Sequence, residues 1–443
     1  MQLHDRIAEH VETSARPLTL DDIEARLLPQ IDYELPHRRR PTKLALTAAA
    51  VLMVIAATGV ALAQLRNDAD LTTADASPAP AFAALPGPLD ELQWAQHIDP
   101  FPALDADASV VVRDLISSGD RAWVAGFEWK INDALETKKR GAIWETVDGI
   151  TWTPVSGPFG DFDALPGTAI PAGVSFSHLV MSNSRPLAFG NDFSDTISPV
   201  AVRLADGGST WERLNLGDLG GVEILRGAAF GERVAALVAL DPNGRRQTVG
   251  LAESIDGGTT WELTAAPFAD ADLEDIDLAV GENTTVVVER FTSWTRSHGT
   301  ETWDESAILD RSADLRFVDV DVTEAGFVVS LSSGSSGVSQ TEGFLSADGR
   351  SWEFGFGARG LSNNEGSVAH IVHDDGTSAL VNVGTSSNEP VRLFAIPQRA
   401  PLGTPMQFGT AVTGTIHGDE VLVLDYRADI DTPPLVWTGR ATG

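Results

Sequence analysis

The chain has 443 residues, which is enough for two or three ordinary domains or for one large repeat array. Its 63 acidic and 31 basic residues give a net charge of −32, and such a surface repels nucleic acid, so a nucleic-acid-binding function is excluded. The absence of cysteine excludes disulfides, thiolate zinc sites and thiol nucleophiles, and nothing in the sequence predicts a cofactor or a metal site.

An uncharged segment, residues 44–65, divides the chain near its N-terminus. As a helix it would span about 33 Å, enough to cross the hydrocarbon core of a bilayer. Lys43 and the run Arg38, Arg39 and Arg40 precede it, whereas Arg66 is the only nearby cation after it. The positive-inside rule therefore predicts a single-pass membrane protein with a cytoplasmic N-terminus and an extracytoplasmic C-terminal part.

The same segment allows one alternative, a cleaved signal peptide, because Ala61-Leu62-Ala63 is similar to a cleavage site. The 43 residues before the segment are far more than signal peptides carry, which favours an uncleaved signal-anchor.

The regions flanking this segment differ in character. Residues 1–43 contain two stretches of apolar residues at helical spacing, and this layout resembles the short cytoplasmic heads of bacterial membrane proteins that hold sigma factors. We expect either a plain orientation signal or a docking segment for a cytoplasmic regulator. Residues 66–100 are rich in proline and alanine and predict an extracellular linker.

A short motif recurs along residues 101–443. Its four clear copies are TVDGITW with Asp148 and Trp152, LADGGSTW with Asp206 and Trp211, SIDGGTTW with Asp256 and Trp261, and SADGRSW with Asp348 and Trp352. A weaker copy, SADLRF, runs from Ser312 to Phe317. Aspartate caps backbone N–H groups in tight turns, glycine supplies a positive φ, and tryptophan buries a large apolar area. One carboxylate a turn is too few for calcium, so the motif predicts a structural corner.

These residues resemble the Asp-box of the sialidase-like, or BNR, repeat proteins. The resemblance implies a β-propeller in which each box joins the third and fourth strands of a blade. Seven double-strand units fit between residues 109 and 440, at about 47 residues each. The sequence therefore predicts an all-β propeller, for which it favours seven blades and leaves six or eight as alternatives.

The resemblance also raises a sialidase-type glycoside hydrolase as an alternative function. Enzymes of that family use a tyrosine nucleophile and carry an Arg-Ile-Pro motif, and this sequence lacks that motif. It has two tyrosines, of which only Tyr426 lies in the repeat region. No catalytic residue is therefore assigned.

Basic and aromatic residues concentrate in two segments, 129–140 and 292–304, which we interpret as loops between the second and third strands of their units. These loops are expected to share one rim of the propeller, opposite the aspartate turns. The candidate ligand-binding residues are Trp129, Lys130, Lys138, Lys139, Arg140, Arg245, Arg246, Trp294, Arg296 and Trp303. Cations and indole rings suit an anionic, glycan or protein ligand. The favoured function is a membrane-anchored, non-catalytic binding module; a glycoside hydrolase and a transmembrane signalling protein are the alternatives.

Overall fold

The structure is a computed structural model. It describes residues 92–131, 137–159, 173–193, 197–206, 208, 210–216, 223–240, 246–267, 271–272, 276–309, 315–323, 326–335, 338–360, 378–381, 391–395, 400–406, 411–426 and 433–441. The chain divides into two compact units, Met1–Ala74 and Asp75–Gly443, and every described residue belongs to the second. The described part contains no helix long and apolar enough to span a membrane, and the predicted segments 1–43 and 44–65 lie outside it.

Six antiparallel sheets of four strands each form the blades of a β-propeller. The first strand of the chain, β1 (Gln93–Ile98), belongs to the last blade. Blade 1 consists of β2 (Ser109–Ser118), β3 (Arg121–Ile131), β4 (Thr137–Thr146) and β5 (Thr153–Pro154). Blade 2 consists of β6 (Val174–Ser182), β7 (Arg185–Asp192), β8 (Ser198–Leu204) and β9 (Trp211–Arg213).

The remaining blades follow in chain order. Blade 3 holds β10 (Glu223–Phe230), β11 (Arg233–Ala239), β13 (Val249–Ser254) and β14 (Glu262–Ala265), with β12 (Arg246–Gln247) paired to β15 (Ala271–Asp272) beside it. Blade 4 holds β16 (Ile276–Val280), β17 (Thr284–Glu289), β18 (Thr292–Ser297) and β19 (Asp304–Ala307). Blade 5 holds β20 (Leu315–Thr323), β21 (Gly326–Ser335), β22 (Val338–Ser346) and β23 (Glu353–Gly360).

Two further sheets complete the described strands. Strands β24 (Ser378–Val381), β25 (Val391–Ala395) and β26 (Ala400–Met406) form a three-stranded sheet. The closing blade has the order β1, β29 (Leu435–Arg440), β28 (Glu420–Tyr426) and β27 (Ala411–His417). The sequence favoured seven blades and allowed six. Six complete blades are described, and the three-stranded sheet lies along the chain between blade 5 and the closing blade.

The ring closes through β1, which pairs with β29 from Gln93↔Arg440 to Ile98↔Leu435. Residues 93–98, which the sequence assigned to the linker at 66–100, therefore form a strand of the closing blade. Most β1 side chains are exposed, because an outermost strand packs only weakly on its neighbours, so no apolar alternation marked it in the sequence. Phe101 follows β1 and inserts beside Trp144 and Trp152, at ring-centroid distances of 5.6 and 5.1 Å.

The apolar core lies between blades rather than inside one of them. One cluster joins Trp123 and Ile143 of blade 1 to Phe176 and Ala188 of blade 2, and a second joins Ala122 and Trp144 to Leu422 and Val436 of the closing blade. Odd-numbered residues of β3 and β4 thus face blade 2, and even-numbered residues face the closing blade. This alternation follows from the pleat of a strand, since successive side chains point to opposite faces.

Each blade has two ends, which we name for what joins the strands there. The turn end joins the first strand to the second and the third to the fourth; in blade 1 it holds Ser118 and Thr146. The loop end joins the second strand to the third; in blade 1 it holds Ile131 and Thr137. The first strands of neighbouring blades contact one another, β2 with β6 and with β27, so they form the inner ring around the axis.

Candidate functional site

The predicted segment 129–140 lies at the loop end of blade 1. The structure places residues 129–131 at the end of β3 and residues 137–140 at the start of β4, so most of the segment is strand and not loop. Trp129 pairs with Lys139, and Lys130 pairs with Lys138. The predicted cations of this segment are therefore close together along the chain, yet the pleat of the two strands sends them to opposite faces of the blade.

On the face toward the closing blade, two cations already have carboxylate partners. Lys130 Nζ lies 2.5 Å from Asp105 Oδ2, and Arg140 forms an ion pair with the buried Glu128, which also accepts a hydrogen bond from the N–H of Leu104. A hydrogen bond from Lys130 lowers the pKa of Asp105. Because Lys130 and Arg140 are already paired with carboxylates, we expect them to contribute little to the binding of an anionic ligand.

The face toward blade 2 is different. Lys139 Nζ lies 4.7 Å from the ring centroid of Phe127 and 5.4 Å from that of Phe193. The guanidinium of Arg113 stands over the same Phe127 ring at 5.8 Å. The indole Nε1 of Trp129 is buried and has no hydrogen-bond acceptor among the described residues. This face therefore holds the Lys139 ammonium group near two phenyl rings, with Arg113 over one of them and Trp129 on the neighbouring strand.

Lys139 is also perturbed electrostatically. Burial lowers its pKa, and the positive charge of Arg113 lowers it further. In the described part of the chain no carboxylate forms an ion pair with this ammonium group. We name this arrangement the blade 1–2 cleft; it consists of Arg113, Phe127, Trp129, Lys139 and Phe193.

The second predicted segment, 292–304, is not a loop between the second and third strands. It comprises β18 and the connection to β19, so Arg296 and Trp303 lie toward the turn end of blade 4. The expectation that the two segments share one rim is therefore wrong. The error arose because the sequence pattern TSWTRSHGTETWD does not show where the third strand begins.

The predicted residues of blade 4 also make contacts within the protein. Arg296 is buried, forms an ion pair with Glu253, and stands 4.8 Å from the ring centroid of Trp303. Trp294 and Trp303 pack against the buried cluster between blades 3 and 4. Burial lowers the pKa of the nearby His298 to about 4, with the charge of Arg233 acting in the same direction. This group stabilises a blade interface.

The two remaining predicted residues are described only in part or not at all. Arg245 lies outside the described residues, and Arg246 pairs with Asp272 through the backbone of β12 and β15, its side chain being outside the description. Tyr426 ends β28, the second strand of the closing blade, and its side chain is likewise outside.

The aspartate turns lie at the turn end, between the third and fourth strands of their blades. In the first, Asp148 Oδ1 accepts hydrogen bonds from the N–H groups of Ile150 and Thr151 at 2.9 and 2.6 Å. Burial acts to raise the pKa of Asp148, but these hydrogen bonds outweigh it and lower the pKa to about 2. Asp256 accepts equivalent bonds and its pKa also falls to about 2.

Three of these turns dock on the preceding blade by a glycine carbonyl. The carbonyl oxygen of Gly208 accepts a hydrogen bond from Arg121 at 3.1 Å. Those of Gly257 and Gly349 accept from Arg203 at 2.8 Å and from Thr295 at 2.6 Å, respectively. The turn tryptophans follow the same direction, since Trp152, Trp211, Trp261 and Trp352 pack into the clusters between their own blade and the one before.

Blade 4 has its own version of this corner, which the sequence reading missed. Residues 297–303, Ser-His-Gly-Thr-Glu-Thr-Trp, join β18 to β19 and place Trp303 directly before the fourth strand. The copy assigned to Ser312–Phe317 is therefore wrong; Leu315 and Phe317 start β20, and Asp314 is outside the described residues. The spacing of glycine and tryptophan could have predicted this corner, but the motif is hard to recognise without its aspartate.

A ring of polar side chains around the axis was also missed. Asp114 accepts the N–H of Leu179 at 2.7 Å, His178 donates to the carbonyl of Leu225 at 2.7 Å, and Asp277 accepts the N–H of Val320 at 2.8 Å. Each side chain thus bonds to the first strand of the next blade.

Local irregularity explains why this inner ring was hard to predict. Asp114, His178 and Arg226 each follow a register shift in their strand, and such bulges re-aim a side chain and break the two-residue alternation. Burial raises the pKa of Asp114 to about 7 and lowers that of His178 to about 3. Among the described residues, no cluster of three or more metal-ligating side chains is found.

Comparisons with known proteins identify no family for this chain. No protein-family model matches the chain, and no curated protein matches it. YCF48 bound to D1 peptide is similar at 13% identity and a TM-score of 0.47, over 82% of this chain and 98% of that one. A Trypanosoma rangeli sialidase in complex with 2,3-difluorosialic acid has 11% identity and a TM-score of 0.44, over 78% and 59%.

A Hadza microbial sialidase has 13% identity and a TM-score of 0.46, over 75% of this chain and 66% of that one. The chain thus spans less than two thirds of both sialidases. At these identities and scores the likenesses carry no argument about ligand or reaction, and the order of strands within each sheet is what defines the β-propeller.

Proposed function

We propose that this protein is a membrane-anchored, extracytoplasmic β-propeller that acts as a non-catalytic binding module for an anionic ligand. The observation that carries the proposal is the blade 1–2 cleft. It contains a lysine without a carboxylate partner among the described residues and a buried indole N–H without an acceptor. The buried indoles of Trp152 and Trp211 also lack an acceptor among the described residues, but here the unmatched indole lies on the same face as an ammonium group, and an anionic ligand would satisfy both donors.

The inner ring supports a structural role for the titratable groups near the axis. Asp114, His178 and Asp277 are hydrogen-bonded to the backbone of a neighbouring blade, which holds first strands together where they have no pairing partner on that side. A general acid or base must instead be able to reach a substrate proton. These groups therefore favour a scaffold over a reaction centre.

The membrane anchor and the extracytoplasmic location rest on the uncharged segment 44–65 and the cations before it. Fusing alkaline phosphatase, which is active only outside the cytoplasm, after the last residue tests both. We expect phosphatase activity in the membrane fraction; activity in the soluble fraction alone would contradict anchoring.

An array of glycans, cell-wall fragments and peptides, probed with the full chain, tests the binding function. We expect retention on acidic ligands and none on their neutral counterparts. The matched variants are Lys139→Gln in the cleft and Lys138→Gln on the opposite face of the same strand. Equal retention of acidic and neutral ligands would contradict the proposal.

A glycoside hydrolase is the second candidate, because a carboxyl with a pKa of about 7 is a group that general acids of such enzymes use. Asp114 is that carboxyl, and the charge of Asp321 helps to keep its pKa high. Turnover of a panel of fluorogenic glycosides by the full chain, lost in Asp114→Asn, would establish it. The binding proposal expects no turnover by either protein.

A further inference from the structure

We propose that the blade 1–2 cleft binds a single oxyanion of its ligand, a carboxylate, sulfate or phosphate group, through Lys139 and Trp129. This inference rests on the proposed binding function and specifies which part of the ligand the cleft recognises. It also separates the cleft from the other predicted cations, which serve the fold.

Ion pairing distinguishes Lys139 from the other predicted cations. Lys130, Arg140 and Arg296 have partners in Asp105, Glu128 and Glu253. Lys139 instead lies between the rings of Phe127 and Phe193, and the described residues bring no carboxylate to it. Aromatic faces stabilise an ammonium group only in part once water is removed, so its charge remains available to an anion.

A second cation strengthens the argument. Arg113 and Lys139 both stand over the ring of Phe127, at 5.8 and 4.7 Å. Like charges this close raise each other's energy, and the lowered pKa of Lys139 reflects burial first and Arg113 second. An oxyanion bound to Lys139 would offset this repulsion and form a charge-assisted hydrogen bond with the ammonium group.

Trp129 supplies the independent observation. Its position is directly opposite Lys139 across β3 and β4, so both side chains lie on the face toward blade 2. Its buried Nε1–H finds no acceptor among the described residues, as is also the case for Trp152 and Trp211, whereas the indoles of Trp144, Trp261 and Trp352 donate to Pro102, Gly258 and Ser293. Of these three unmatched indoles, that of Trp129 lies directly across the strands from a lysine. An indole can only donate, and so can an ammonium group. Two neighbouring donors select an anion over a cation.

The scarcity of lysine makes a direct test practical, because the full chain has four lysines and three of them lie in blade 1. We would acylate the full chain with a limiting amount of an acetylating ester at pH 8. Mass spectrometry would then give the rate at each lysine in sodium chloride, acetate, sulfate or phosphate at equal ionic strength. Matched ionic strength removes general screening from the comparison.

The expected result is selective protection. A bound oxyanion both covers the Lys139 amine and favours its unreactive charged form, so the rate at Lys139 falls about ten-fold at saturation. The rates at Lys130 and Lys138 stay within error of their values in chloride. An unchanged rate at Lys139 in all three oxyanions, or equal protection of all three blade 1 lysines, would overturn the inference.

A second readout separates this inference from the proposed function. The indole N–H resonance lost in Trp129→Phe is assigned to Trp129, and we expect it to shift with phosphate in the Lys138→Gln variant and to stay fixed in Lys139→Gln. If neither variant shifts but the array still retains acidic ligands, binding is real and occurs elsewhere. If the resonance shifts and the array is blank, the cleft takes an oxyanion and the larger ligand class is wrong.

Discussion

The turn end and the loop end of the blades differ in how their polar groups are paired. At the turn end, Asp148, Asp256 and Asp348 accept the backbone N–H groups of their turns, and glycine carbonyls dock on the preceding blade. Buried indole N–H groups without an acceptor among the described residues occur at both ends, in Trp152 and Trp211 of the turns and in Trp129. At the loop end of blade 1, however, such an indole lies beside a lysine to which the described residues bring no carboxylate. This pair of donors on one face marks the candidate site.

The largest expected effect comes from crowding a turn corner. Gly349 has a φ of +73°, and a Cβ there would lie 2.5 Å from Val286 Cγ2 of the preceding blade. Gly349→Ala should lower the free energy of unfolding by about 2–5 kcal/mol, from backbone strain and overpacking together. Urea unfolding measures this.

Gly119 is the matched control, with a φ of +62° and no atom within 4 Å of the added Cβ. Gly119→Ala should cost only the strain, about 1–2 kcal/mol. Equal losses in the two variants would show that the turn of blade 5 is not packed against blade 4 as described.

A smaller effect is expected from removing a turn carboxylate. Asp256→Ala deletes an acceptor of the N–H groups of Thr259 and Thr260 and should cost about 1–3 kcal/mol at pH 7. The folded pKa of Asp256, about 2, is below its ordinary value of 3.8. Its contribution is therefore complete above about pH 4 and lost as the pH falls toward 2.

Acid titration of unfolding free energy checks this prediction. The difference between the original chain and Asp256→Ala should shrink as the pH falls through that window. A difference that is constant from pH 7 to pH 2 would mean that the ionised carboxylate contributes nothing to the turn.

The smallest effect compares one indole from each end. Trp352 donates to Ser293 Oγ at 2.8 Å, whereas Trp129 has no acceptor among the described residues. Both changes to phenylalanine remove ring area, but only Trp352→Phe also removes a hydrogen bond. Trp352→Phe should therefore be less stable than Trp129→Phe by about 1–2 kcal/mol in urea unfolding. If Trp129→Phe were instead the less stable variant, the indole N–H of Trp129 would have to have an acceptor, contrary to the described contacts.

Local signals predicted the fold better than the site. The propeller and the turns at Asp148, Asp206, Asp256 and Asp348 could be predicted, because a turn motif and an alternating strand are contained in a few adjacent residues. The role of β1 was missed because an outermost strand lacks an apolar pattern. The corner at 297–303 was missed because its aspartate is gone.

The site depended on register, which the sequence does not show. Ten residues were predicted as one surface, but Trp129 and Lys139 face blade 2 while Lys130, Lys138 and Arg140 alternate to the other side. Arg296 and Trp303 proved to be at the turn end because β18 begins at Thr292. The partners Asp105, Glu128 and Glu253 were beyond prediction, since each is brought in by tertiary contact.

The most direct test of the central claim measures ligand retention by the full chain with one change at each end. Lys139→Gln alters the blade 1–2 cleft, and Val147→Thr alters an exposed turn-end residue of the same blade. We expect the original chain and Val147→Thr to retain the same acidic ligands and Lys139→Gln to retain them at least about ten-fold less. Loss on Val147→Thr with retention by Lys139→Gln would contradict it and move the binding surface to the turn end.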